Sequence, residues 1–98
     1  MVTFSEQDKQ LTCTFAGRLD TAAVMKDELA VDEKIEQAPD RSVAFDLAGV
    51  TFIASSFLRL CLKTAKTVGV ARFSVRRVTP EIKKVFVIAG MDKHLTMT

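Results

Sequence analysis

The sequence predicts an α/β fold: a mixed, mostly parallel β-sheet that opens with an N-terminal hairpin and carries three or more helices packed against it. Two short alternating segments joined by a polar link come first. Strand-like and helix-like segments then take turns to the end of the chain, the pattern of βα repeats. The segment SVAFDL is apolar on both faces, as a central parallel strand covered by helices on both sides would be. Ninety-eight residues leave room for one domain, 1–98, and no second.

Val2 to Glu6 and Gln10 to Ala16 are expected as strands; in the second, Leu11, Cys13 and Phe15 alternate with Thr12 and Thr14 at a period of two. Gln7-Asp8-Lys9 is short and polar, as a hairpin link requires. Gly17 ends the strand, and Asp20 or Thr21 supplies an oxygen to cap a helix start. Residues 22–38 read as a helix with a divided apolar pattern. Val24, Val31, Ile35 and Ala38 form one stripe and Met25 and Leu29 another, so a bend or break near Leu29 is expected. Ser42 to Leu47 is the central strand, and Val50 to Ile53 stays extended up to Ser55-Ser56.

From there to Val68 a helix is indicated by Leu58, Cys61, Leu62, Ala65 and Val68, with Gly69 closing it. Arg72 to Val78 is a further strand with Phe73 and Val75 on one face. Thr79-Pro80-Glu81 starts the last helix: a capping hydroxyl, a proline fitted to the first turn, and an acid at the positive end of the dipole. That helix runs to Ala89 and stops at Gly90, and residues 91–98 add a short final strand. Strand order is not legible at this level.

Composition narrows the function classes. Hydrophobic residues make up 48% and charged residues 27%, values of a globular domain rather than a disordered chain. No apolar run reaches the roughly 18 residues of a membrane span, and MVTFSEQDKQLTC lacks the basic-then-apolar layout of a signal peptide. A cytoplasmic protein with no membrane insertion is therefore expected. Cys13 and Cys61 are far apart, without a CxxC, and His94 has no ligand-spaced partner, so neither a disulfide framework nor a metal site is expected. Both cysteines read as small core residues and His94 as surface.

Net charge is +2 but unevenly placed. Residues 1–49 carry five basic and ten acidic side chains, a balance of −5, and residues 50–98 carry nine and two, a balance of +7. Aromatic residues do not interleave with the basic ones, which argues for solvated helix faces and against nucleic acid. Catalysis lacks an inventory too. There is no Ser–His–Asp set, no carboxylate pair and no Gly-rich phosphate loop; an N-cap role explains Asp20 and a strand end explains Asp46. No enzyme and no cofactor are expected.

One feature offers chemistry, the hydroxyl pair Ser55-Ser56 at the end of a strand and the start of a helix, where ligands and modifications gather in parallel sheets. With about 100° per residue and Leu58 set at zero as the middle of the buried stripe, Ser56 falls near about 160°, Leu60 about 200°, Lys63 about 140°, Arg59 about 100° and Ser55 about 60°. On that wheel Ser56 points outward beside Leu60, Arg59 and Lys63. A phosphate there would meet free helix amides and Arg59, and it would repel a partner docked on Phe57 and Leu60. The plainer alternative is that both serines are helix caps. The switch requires the Ser56 hydroxyl to stand clear of its neighbours.

At these residues the chain resembles the STAS family, of the anti-sigma factor antagonist type. The resemblance spans nearly the whole chain: FAGRLD at Phe15 to Asp20, VAFDLAGVTFIASSFLRL at Val43 to Leu60, RFSV at Arg72 to Val75, and a last helix ending at Ala89-Gly90. It implies a partner-switching regulator that binds an anti-sigma factor of the serine-kinase type when unphosphorylated and releases it when phosphorylated. The family's Asp-Ser-Ser-Gly motif maps onto Ala54-Ser55-Ser56-Phe57, which makes Ser56 the implied phosphoacceptor, ahead of Ser55. The implied contact residues are Asp20, Ser55, Ser56, Phe57, Arg59, Leu60 and Lys63. Ala54 and Phe57 depart from the family's aspartate and glycine. Those departures keep a second reading open, a constitutive interaction subunit of a transporter ATPase or signalling complex without phosphorylation. The partner's identity, nucleotide binding and oligomeric state are not legible in the residues.

Overall fold

The computed structural model describes residues 2–37 and 39–98. Along the chain lie β1 (Val2–Gln7), β2 (Gln10–Leu19), α1 (Thr21–Gln37), β3 (Ser42–Ile53), α2 (Ser55–Val68), a 3-10 turn (Val70–Arg72), β4 (Phe73–Arg76), α3 (Pro80–Ile88) and β5 (Thr96–Met97). The strands form one sheet in the order β1-β2-β3-β4-β5. Only β1 and β2 pair antiparallel; the other neighbours are parallel. The opening hairpin turns at Asp8 and Lys9, whose φ values of 50° and 64° meet the need of a two-residue type I′ loop for positive φ at both positions.

Every sheet residue two steps apart along Leu11, Cys13, Phe15, along Val43, Phe45, Leu47, and along Phe73, Val75 belongs to a single core. That core also holds Val24, Val31 and Ile35 of α1, Phe57, Leu60, Cys61, Ala65 and Val68 of α2, and Ile82 and Phe86 of α3. Four rings tie its centre: Phe45 lies 5.0 Å from Phe15 and 4.9 Å from Phe73, edge to face, and Phe57 lies 5.1 Å from Phe15. The alternate residues make the opposite face. Register aligns Ser5, Thr12, Ala44, Ser74 and Thr96 in one row and Thr3, Thr14, Asp46 and Arg76 in the next.

That polar face corrects the expectation that helices cover both sides of the central strand. SVAFDL is buried from Val43 to Leu47, but only Val43, Phe45 and Leu47 join the core; Ala44 is small and lies between Thr12 and Ser74 in the register. Asp46 is covered because Arg77 clamps it, with Nε donating to Oδ1 at 3.1 Å and to Oδ2 at 2.9 Å, while the Ala48 amide donates to Oδ1 at 3.1 Å. A charge-assisted fork of this kind lets a carboxylate leave water without a helix above it.

Other elements differ from the sequence reading in extent or continuity. β2 continues past Gly17 to Leu19, because Gly17 takes φ 77° at register shifts on either side of it, so the glycine bends the strand instead of ending it. α1 is continuous, with no break near Leu29: the second stripe is simply left in solvent, Met25 at 68% and Leu29 at 69% exposure. Ala38, expected at the end of the packed stripe, lies outside the described residues. Val50 to Ile53 is part of β3 itself, and β4 is confined to four residues after the 3-10 turn. The last helix starts as expected, with Thr79 Oγ1 accepting from the Ile82 amide and Pro80 in the first turn.

Candidate functional site

Two strand-to-helix turns meet at the end of the sheet where β2 and β3 stop. The amide of Ala54 donates to the carbonyl of Leu19 at 2.9 Å, which joins them. Asp20 is exposed and caps α1, its Oδ1 accepting from the Ala23 amide at 2.9 Å. That capping role, expected from sequence, fixes the turn on which the residue is presented. Beside it Arg18 lies over the Phe52 ring, 4.4 Å from the centroid, and Phe52 keeps 39% of its surface in solvent. The two are register partners across β2 and β3. Sequence reasoning missed this pair because it ended β2 at Ala16; the one available signal was an arginine and a phenylalanine close to paired strand ends.

α2 begins at Ser55 on a residue, Ala54, that has extended φ and ψ (−89° and 165°) but no side-chain oxygen to cap with. No side chain therefore caps this end, and the Phe57 amide turns back to donate to the Ala54 carbonyl at 3.0 Å. Ser55 is exposed and so is Arg59 one turn later.

The helix is phased differently from the wheel drawn on the sequence. Its buried side consists of Phe57, Leu60, Cys61, Thr64, Ala65 and Val68, while Leu58 and Leu62 are half-buried at the edge. Phe57 at 0% and Leu60 at 2% exposure face the core, so neither stands where a partner could touch it. Placing the stripe centre on Leu58 rotated the wheel by about one residue, or about 100°. Phe57 wins the inward place because a ring pocket formed by Phe15 and Phe45 receives it.

The same rotation changes the setting of Ser56. Its Oγ is covered and makes no hydrogen bond, although part of the residue remains at the surface. The expected free-standing hydroxyl is not found. Lys63 is also committed elsewhere: its Nζ binds Asp32 at 2.8 Å and Glu28, tying α2 to α1. Burial works against its charge, but those two carboxylates outweigh it and raise the pKa. Of the expected contact residues, Asp20, Ser55 and Arg59 are exposed, and Phe57, Leu60 and Lys63 serve the interior and the helix pair.

Among the described residues no group of three or more His, Cys, Asp and Glu is placed to hold a metal ion, and no helix is long and apolar enough to cross a membrane. Cys13 and Cys61 are buried, free thiols; burial pushes Cys13 up to about 12 and Cys61 in the same direction, which makes both poor nucleophiles.

The fold has solved counterparts. An anti-sigma factor antagonist from Mycobacterium paratuberculosis superposes with a TM-score of 0.87 at 19% identity, covering 99% of this chain and 83% of that one. An anti-sigma-factor antagonist (STAS) domain protein from Planctomyces limnophilus gives 0.86 at 21%, covering 99% and 87%. The anti-sigma factor antagonist SpoIIAA of Bacillus gives 0.83 in its unphosphorylated form, at 18% identity over 100% of this chain and 88% of that one, and 0.74 in its phosphorylated form. No protein-family model matches the sequence, and no curated protein matches it. The chain has the STAS fold of the anti-sigma factor antagonists.

Proposed function

We propose that the protein is a non-enzymatic regulator of the anti-sigma factor antagonist type, which docks a protein partner at the edge formed by Asp20, Ser55 and Arg59, with Arg18 and Phe52 beside them. The observation that supports this reading is the joined pair of strand-to-helix turns on a STAS fold, with Asp20 exposed on one, Ser55 exposed on the other and Arg59 exposed one turn into α2. An exposed arginine stacked on an aromatic ring supplies broad contact area at small entropic cost, and such residues dominate binding energy at interfaces. Cationic Arg18 and Arg59 suit an acidic patch on an anti-sigma factor or kinase-like partner.

Control by phosphorylation at Ser56 is the finer part of the proposal. The uncapped start of α2 supports it, because a phosphate there would meet a helix end that no side chain caps, and Arg59 one turn on. It requires the side chain to turn its Oγ out of its covered position. The covering of that Oγ, together with Ala54 and Phe57 at the positions of the family's aspartate and glycine, favours the second reading, a constitutive subunit of a transporter ATPase or signalling complex.

One experiment separates the two. The protein is incubated with ATP and the anti-sigma kinase of its own genome, phosphate is mapped by mass spectrometry, and partner capture is compared for wild type, Ser56→Ala, Ser56→Asp and Arg59→Glu. The switch predicts phosphate on Ser56 and loss of capture only in Ser56→Asp and Arg59→Glu. The constitutive reading predicts no phosphate, full capture by both Ser56 variants and loss in Arg59→Glu. Full capture by Arg59→Glu would overturn the docking edge itself.

A further inference from the structure

We infer that copies of this chain associate head to tail, the α3 face of one docking on the α1 face of the next. Two apolar patches stand in solvent on separate helices. On α1, Met25 and Leu29 are 68% and 69% exposed, and the exposed Glu33 and Glu36 lie within the next two turns. On α3, Val87 and Ile88 are 48% and 81% exposed, and the exposed Lys83 and Lys84 precede them by one turn. Neither patch packs on the core, and α1 and α3 lie in different crossovers of the sheet, one between β2 and β3 and the other between β4 and β5.

The patches complement each other in charge and in spacing. Leu29 and Glu33 are four residues apart, and so are Ile88 and Lys84, each a rise of about 6 Å along its helix. The order is reversed: apolar then acidic on α1, basic then apolar on α3. An antiparallel helix pair therefore sets Ile88 on Leu29 and Lys84 on Glu33 at once. Glu33 and Glu36 have no ion pair among the described residues, whereas Glu28 and Asp32 are spent on Lys63. The two faces differ, so the contact is heterologous, and each added copy leaves one α1 face and one α3 face free. The Glu–Lys rim makes it weaken as salt rises.

The test uses sedimentation of the full chain from about 10 µM to about 1 mM at low and high salt, concentrations that bracket a weak helix-on-helix contact. Wild type is expected to exceed the 10.8 kDa of one chain as concentration rises, and less so in salt. Ile88→Asp and Leu29→Asp each lie at the surface, so both stay folded by circular dichroism, and each alone remains a monomer. Their equimolar mixture forms a two-chain particle, because the first variant keeps a sound α1 face and the second a sound α3 face. A wild type that stays monomeric throughout overturns the proposal and leaves the patches to unlike partners. Monomers in the mixture, or undiminished association of either single variant, overturn the head-to-tail geometry.

Discussion

Phe57→Ala is the substitution that best separates a core role from a docking role for the start of α2. The ring is fully buried, edge to face with Phe15 at 5.1 Å and tilted against Phe45 at 6.0 Å. Truncating a buried phenylalanine to alanine costs about 3–5 kcal/mol through lost transfer energy and the cavity left behind. Two ring contacts disappear with it, which places the cost at about 4 kcal/mol. Native domains hold only about 5–15 kcal/mol in total, so a quarter or more of the stability is lost. For a chain of this size the melting temperature then falls by roughly 16–32 °C. Urea unfolding monitored by far-ultraviolet circular dichroism reads the same loss as a lower midpoint with an unchanged slope. A loss under about 1 kcal/mol, with partner binding impaired, would refute the inward placement of this ring and return it to the surface.

Ala54→Asp gives the uncapped start of α2 an oxygen on a residue that already has N-cap geometry, and should raise stability by about 1 kcal/mol, read as a higher urea midpoint. Ser56→Ala removes a covered hydroxyl that lacks a partner; thermal unfolding should show no loss and a gain of up to about 1 kcal/mol, whereas a loss of that size would mean the Oγ is bonded. Asp46 is held below the usual carboxylate range by the Arg77 guanidinium, which outweighs the opposing effect of burial and is helped by the Ala48 amide. Its folded pKa lies below its unfolded one, so its stabilisation is complete above the unfolded value of about 4 and drains away as pH falls through the folded value. Urea midpoints measured between pH 6 and pH 3 should fall at the acid end, and fall less in Asp46→Asn; equal decline in both would show that the fork contributes nothing.

Segment types were legible in the sequence because each rests on local physics. The hairpin, α1, α3 and the order of strands and helices arise from alternation, helical spacing and capping residues such as Asp20 and Thr79, all of which act within a few residues. The two strand-to-helix turns that carry Asp20 and Ser55 were legible too, since they need only that order. Which way α2 turns about its axis was not. Leu58, Leu60, Leu62 and Phe57 offer two overlapping apolar stripes, and the choice between them depends on the rings of Phe15 and Phe45, which arrive from other strands. The Arg18–Phe52 stack likewise exists only because Gly17 bends β2 into register with the far end of β3. Local patterning thus determined what each segment is, whereas the covering of Ser56, the burial of Phe57 and the polar outer sheet face were decided by packing, because burial is a property of neighbours that the chain brings together only when it folds.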